Sequence, residues 1–277
     1  MLRFDIVGAG KVGKNFAKFL ATNGHEIGHV VNSSLDSSKK AVKFIGQGIP
    51  TTIDKIGKCD VLLIGTRDDD IRQTFLKILS ISKEFKAIGH FSGAYSSLLL
   101  RECDQIGIGR FSIHPNASFA DPEIWKAFFD IYFVIEGNER GKELIKNLLL
   151  SLKLKFGEIS ASKKLFYHAG AVFASNFMVA LLSTSRELYT MSGLDQKITI
   201  EISNYLAKQA IENVEKLGLK KAITGPVARG DMQLVHAEEM ALEDFAPKIG
   251  LLYRKFVEVL KERVIEVERE KIDQDER

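Results

Sequence analysis

The feature that most constrains this chain lies at its start. A short apolar run, residues 4–7, leads directly into Gly8-Ala9-Gly10-Lys11-Val12-Gly13 and then into an amphipathic stretch reaching about residue 23. Glycines in that rhythm between a strand and a helix have separate physical uses: Gly8 makes a tight turn, Gly10 lets backbone approach a ligand, and Gly13 lets the helix pack closely on its strand. The unpaired amides that open such a helix favour an anion, and the spacing is that of a dinucleotide's pyrophosphate cradle. Gly8, Ala9, Gly10, Lys11, Val12 and Gly13 are therefore the expected coenzyme contacts.

The same alternation continues beyond the cradle. Residues 27–31, 61–64 and 87–90 read as strands separated by helix-length segments, which predicts βαβ units and a parallel sheet. Two further runs, 131–135 and 154–159, flank a helical pattern at 141–152 and extend that sheet. From residue 164 the periodicity becomes helical, over 164–191, 195–217 and the C-terminal third. The chain thus reads as α/β, a parallel sheet domain over residues 1–160 followed by an all-helical domain over 161–277. Residues 169–182 are the most apolar long stretch, but they are shorter than a membrane span and contain Ser175 and Asn176. A buried helix is expected there. The tail from Arg254 to Arg277 mixes both charge signs and predicts a solvated helix frayed at its tip.

Composition narrows the partners. With 39 basic against 36 acidic side chains, a net charge of +3 and no basic block interleaved with aromatics, nucleic acid is not expected. The only cysteines, Cys59 and Cys103, stand in no metal-ligand or redox spacing and suit a reducing compartment. The chain opens on its first strand with no signal peptide, so a cytoplasmic protein is expected, with no metal and no membrane partner.

The end of the second strand discriminates between coenzymes. An acidic residue there would bind the adenosine ribose and repel a 2'-phosphate. The strand instead runs into Asn32-Ser33-Ser34, with Lys39 and Lys40 following, which favours NADP over NAD, with Asp36 the one nearby group working against it. Thr66, just past the strand at 61–64, is expected over the coenzyme, and residues 68–70, three aspartates, form an acidic start for the next helix.

Four histidines stand at element ends or on a helix face. His90 precedes Phe91-Ser92-Gly93-Ala94, and His114 lies in Ser112-Ile113-His114-Pro115. Each follows a run of strand character, and each is expected either to meet substrate or to fix its loop to backbone. His25, His29 and His236 read as structural. His168 and Asn176 are eight residues apart in the expected long helix, hence on broadly one side of it, with the small Ala171 and Ser175 between them. A reductase that moves hydride to a carbonyl or imine needs a proton donor, and imidazole suits that task. His168 is the candidate donor, Asn176 the group that orients substrate or stabilises developing charge, and Lys164 a second donor or carboxylate anchor. Ser92 and His114 are expected beside the substrate. Arg229, in Thr224-Gly225-Pro226-Val227-Ala228-Arg229-Gly230-Asp231, either clamps a substrate carboxylate or pairs with Asp231 to close its own loop.

The glycine fingerprint, the motifs around His90 and His114, the run from Tyr167-His168 to Ser175-Asn176, and the segment 224–231 together resemble a family of Rossmann-like proteins with a C-terminal domain of unknown function. That family is similar to pyrroline-5-carboxylate reductase, ketopantoate reductase and the 3-hydroxyisobutyrate dehydrogenases. The resemblance implies NADP binding, a helical second domain and a homodimer through it, and names no substrate. In the hydroxyacid dehydrogenases a catalytic Lys and Asn lie one helical turn apart, whereas Lys164 and Asn176 are twelve residues apart. The family's lysine is therefore not carried over, and His168 is assigned from the residues themselves. The expected function is an NADP-dependent oxidoreductase acting on a small carbonyl, imine or hydroxyacid in a cleft between the domains. A non-catalytic NADPH-binding sensor or interaction module is the rival reading.

Overall fold

The computed structural model describes residues 1–275, with side chains as far as residue 263. Tertiary contacts divide the chain into two compact units, Met1–Ser175 and Asn176–Arg277. The boundary expected near residue 160 therefore falls one helix later, because that helix is bonded through Lys164 and Tyr167 to the sheet's loops.

The first unit is built on eight strands: β1 (Arg3–Val7), β2 (Glu26–Val31), β3 (Ile49–Thr51), β4 (Val61–Ile64), β5 (Ala87–His90), β6 (Gly109–Pro115), β7 (Tyr132–Gly137) and β8 (Lys155–Glu158). Their order in the sheet is β3-β2-β1-β4-β5-β6-β7-β8. All neighbours run parallel except β6 and β7, which pair antiparallel, so the sheet is mostly rather than wholly parallel. Helices α1 (Lys11–Thr22), α2 (Leu35–Ile45), α3 (Ile71–Ile81), α4 (Glu139–Ser151) and α5 (Lys164–Ala174) belong to this unit, together with short 3-10 turns such as Ser97–Ile106.

Strand alternation feeds two cores. In β4, Val61 and Leu63 join the cluster built around Phe16, Phe19, Phe128 and Phe133, while Leu62 and Ile64 join Phe75, Ile78 and Ile88 on the opposite side. Both faces of the sheet are thereby covered, as a parallel sheet requires. Asp5 is buried in β1, where the register with β2 shifts. Its carboxylate takes the His29 amide at 2.8 Å and His29 Nδ1 at 2.9 Å, so His29 is structural. His25 is structural too, its Nδ1 accepting the Leu2 amide at 3.2 Å.

The second unit is helical throughout its described residues: α6 (Asn176–Met191), α7 (Gln196–Ala222), α8 (Pro226–Arg229), α9 (Met232–Phe245) and α10 (Pro247–Asp275). Residues 276–277, the expected frayed tip, lie outside the described part of the chain. The only side chains buried in this unit among the described residues are Thr199, Ser203, Val227, Val235 and Val257. The segment 169–182 corrects the expectation of a buried helix: Phe173, Phe177, Val179 and Leu181 are exposed, and helix breaks at Ser175, where φ is −122° and ψ −68°. By length and composition alone Ala161–Met191 passes as a membrane-crossing helix, yet this break and the charges of Lys163, Lys164, Arg186 and Glu187 interrupt it.

Candidate functional site

Strand order reverses at β1, which lies between β2 and β4, and a crevice opens at the carboxyl ends of strands at such a switch point. A cavity of about 770 Å³ occupies that place, lined by Gly8, Gly10, Asn32, Ser33, Ser34 and Thr66 among others. The chain enters it through two backbone bonds of 2.8 Å, Gly8 N–H to Val31 O and Gly65 N–H to Val7 O.

The three fingerprint glycines have different causes. Gly8 has φ +94°, and a Cβ there would lie 2.4 Å from Thr66 N; a Cβ on Gly13 would lie 2.6 Å from Gly8 O. Both are required by the fold itself. At Gly10 φ is −72°, and the nearest atom to a Cβ would be Gly65 O at 4.0 Å. Nothing in the protein forbids a side chain at Gly10, so its absence leaves room for a ligand at the amino end of α1. Thr66 Oγ1 is buried without a partner, an orphaned hydroxyl in the wall of the same cavity. Together these fit a diphosphate-bearing coenzyme resting on the Lys11, Val12 and Gly13 amides.

At the ribose end, Ser34 caps α2 by accepting Ser37 N–H, and Asn32 Nδ2 donates to Ser37 O, which leaves Ser33 exposed. Lys40 is ion-paired to Asp36 at 2.8 Å, and Lys39 has no carboxylate within ion-pair distance among the described residues. Lys40 also lines an adjoining cavity of about 300 Å³ with Lys14 and Ser33.

Beyond Thr66 the same edge of the sheet carries a polar cluster. Asp68 does not cap α3 by side chain; its Oδ2 accepts Ser92 Oγ–H at 2.8 Å. Lys164, only 2% exposed, donates to Ser92 O and Ser112 Oγ, both at 2.7 Å. Burial pulls its ammonium down to about 8, against the opposing pull of Glu136 and Asp68. Glu136, itself buried, accepts Ser97 N–H at 2.6 Å and Ser97 Oγ–H at 2.9 Å.

His90 is fully buried, its Nδ1 accepting the Ser92 amide at 3.2 Å, which is the loop-fixing role rather than substrate contact. Burial and then the Lys164 charge hold it down to about 3. His114 is held down to about 4 by burial, Lys164 and His168 in that order. Its ring lies 6.1 Å from that of His168. A Cβ on Gly93 would lie 2.6 Å from His168 Cδ2 and 2.8 Å from His114 Nε2, so the two imidazoles occupy the room that glycine leaves. Tyr167 joins them: its hydroxyl donates to Asn116 Oδ1 at 2.8 Å and lies 2.6 Å from His114 Nδ1, and burial raises it to about 12.

Of the expected site residues, Ser92, His114, Lys164 and His168 come together within the first unit, and Ser92 is bonded to Asp68, the chain neighbour of Arg67 in the wall of the larger cavity. Asn176 opens α6 in the second unit, so the continuous helix that placed it over His168 is interrupted. Arg229 donates to Asp231 Oδ2 from Nε and Nη2, both at 2.8 Å, the loop-closing arrangement. Gly225 and Gly230 have φ of +87° and +76° with nothing within 4 Å of a Cβ. They set backbone angles around the short α8, and do not hold the chain close to another group. His236 is exposed on α9. Tyr167, Asn116, Ser112 and Gly93 carry no individual signal in the sequence, although each stands inside a motif that does.

These features define a dinucleotide-fold protein with a helical second domain. Residues 131–259 match the model of a domain of unknown function, DUF2520. Protein TM1727 from Thermotoga maritima is 30% identical, with a TM-score of 0.78 over 96% of this chain and 99% of that one. The chain belongs to this DUF2520 family of Rossmann-like proteins. More distant likenesses share the fold: the pyrroline carboxylate reductase of Plasmodium falciparum, solved with NADP bound, is 13% identical with a TM-score of 0.60 over 94% of this chain and 98% of that one. An NADH-preferring ketol-acid reductoisomerase from an uncultured archean is 16% identical with a TM-score of 0.62 over 99% and 86% respectively. No curated protein matches the sequence.

Proposed function

We propose that this chain is an NADP-dependent oxidoreductase acting on a small carbonyl, imine or hydroxyacid. The observation that carries the reading is the convergence of Lys164, His114 and His168 around Gly93, next to a cradle whose Gly10 is bare for no reason internal to the protein. When bound, the coenzyme supplies hydride chemistry, and the chain's own groups do the rest. His168 gives the proton to the substrate or takes it back, and Lys164 holds positive charge behind the reacting group. Ser92 anchors Lys164 through its carbonyl and ties the cluster to Asp68 through its hydroxyl. Ser33, Ser34, Lys39 and Lys40, with no acidic residue at the end of β2, support the preference for NADP.

The second unit supports a homodimer. Its exposed apolar side chains, among them Ile198, Ile200, Leu206 and Ile211, outnumber its buried ones, and apolar surface of that extent marks an interaction face. The two buried free cysteines suit the cytoplasm.

Titration with NADPH and NADH, followed by nicotinamide fluorescence, tests the coenzyme; equal affinities would remove the NADP preference. A panel of 2- and 3-hydroxyacids, ketoacids and cyclic imines with the coenzyme in both redox states, read by nicotinamide absorbance, tests the reaction. Tight NADPH binding with no turnover across the panel would favour the sensor.

A further inference from the structure

We infer that His114 is locked in the tautomer carrying its proton on Nδ1, so that Nε2 offers a lone pair to the substrate. The group seated there must then be an N–H or O–H donor, an amine or hydroxyl, and not a carboxylate. The inference deepens the reading of this cluster as the substrate end of the site.

The lock is a chain of three side chains, each fixing the next. Asn116 Nδ2 donates to Tyr132 O at 3.1 Å, which turns its Oδ1 toward Tyr167. An amide oxygen only accepts, so the Tyr167 hydroxyl spends its one proton on Asn116. Its oxygen is then an acceptor toward His114 Nδ1 at 2.6 Å, and that nitrogen must carry the ring proton. Neutral imidazole has one N–H, so Nε2 is bare. It has no protein partner among the described residues, and it is absent from the sealed unpartnered atoms, which are Arg3 Nε, Thr66 Oγ1, His90 Nε2 and Trp125 Nε1. Nε2 is therefore open to a ligand beside Gly93. The charged and titratable groups acting on the ring are Lys164 and His168, both of which oppose a second proton on it. Tyr167 and Asn116 are positioning residues, acting on the substrate only through His114.

The tautomer is read directly by long-range nitrogen–proton NMR of the ¹⁵N-labelled full chain at pH 7, with the His114→Gln variant identifying the signal. The wild type is expected to show a protonated Nδ1 and an unprotonated Nε2. Tyr167→Phe removes the acceptor and is expected to move the proton onto Nε2 or mix the two forms. Asn116→Asp keeps an acceptor for the tyrosine and should preserve the wild-type pattern, which guards against a variant that merely misfolds. A wild-type His114 protonated on Nε2 would overturn the inference.

Recognition is tested with cyclopentanol and cyclopentanone, neutral probes of one size that differ in having a donor. Both are titrated without coenzyme, so that no turnover occurs, and followed through the His114 ring protons. The alcohol is expected to bind about 3- to 10-fold more tightly, the scale of one hydrogen bond, and Tyr167→Phe should bring the ratio close to one. Equal or tighter binding of the ketone, or no response to the alcohol, would refute the recognition claim. Neither readout needs hydride transfer. An Nδ1–H tautomer with alcohol preference in a protein that never turns over would sink the oxidoreductase reading alone, and turnover with an Nε2–H tautomer would sink this inference alone.

Discussion

The coenzyme cradle and the histidine cluster lie on one edge of one sheet and are made in opposite ways. The cradle is backbone: a strand end, three glycines and the amides of α1, all within residues 3–13. The cluster is side chains drawn from three distant segments, around residue 92, residues 114–116 and residues 164–168. The cradle depends on what is left out, whereas the cluster depends on what each burial does to a proton. Loss of a single atom's worth of space should damage the first, and loss of a single titration should damage the second.

The largest effect should separate the two regions outright. His168→Ala is expected to lower turnover by about 10²- to 10⁴-fold, the usual size of a general acid–base contribution, with NADPH affinity nearly unchanged. Steady-state kinetics beside fluorescence titration measures both, and equal turnover in the variant would remove His168 from the mechanism.

Within the cradle, Gly10 and Gly8 should part company. Gly10→Val should weaken NADPH by about 100-fold, while thermal and denaturant unfolding change by less than about 1 kcal/mol. Gly8→Ala should instead destabilise the fold by about 1–3 kcal/mol, because its positive φ and the 2.4 Å approach to Thr66 N both exclude a side chain. If Gly10→Val lowered stability as much as Gly8→Ala while NADPH affinity stayed unchanged, the distinction between these glycines would be wrong.

Lys164 sharpens the account of the cluster through two opposite signs. Its ammonium is lowered from 10.5 to about 8, so it carries its proton at pH 7 and loses it as pH rises through 8. The reducing kcat/KM should fall about tenfold per unit above that point, and Lys164→Met should abolish this limb. Stability should move the other way. Between pH 8 and 10.5 the unfolded chain binds more protons than the folded one, so unfolding free energy rises with pH over that window.

The smallest effect is on the acid side. His90 and His114 stay neutral in the fold down to about 3 and 4, against 6.5 when unfolded. As pH falls below 6.5 the unfolded state gains their protons first, and each costs the fold up to about 1.4 kcal/mol per unit. Urea unfolding of the wild type and His90→Asn at pH 7 and pH 5 checks this. The variant should lose less stability between the two, and parallel losses would mean that His90 does not titrate as its burial requires.

The sheet unit was largely legible because its signals are local. Apolar runs of strand length and the glycine rhythm after β1 each act within a few residues. β3, with three residues, carries no strand signal, and β6, which begins with a glycine and ends on a proline, shows only as the run of strand character before His114. Within the site, the sequence singles out Lys164 and His168, but its unbroken apolar pattern reads as a buried helix that runs on to Asn176. The error has one cause. An apolar helix packed into a core and one left exposed can have the same composition, and the break at Ser175 involves a residue that also occurs inside helices.

The amino-acid order alone determined the dinucleotide crevice, since strand, turn and helix start are adjacent in the chain and set by backbone sterics. It also fixed which end of the molecule is helical. Only the tertiary structure decided that Lys164 would sit under Ser92 and Ser112, that His90 would be sealed while His114 kept one nitrogen open, and that Asn116 would set the proton through Tyr167. Those outcomes depend on desolvation and on hydrogen bonds between residues 51 to 72 positions apart, and such pairings acquire meaning only once the sheet has brought its strand ends to one edge.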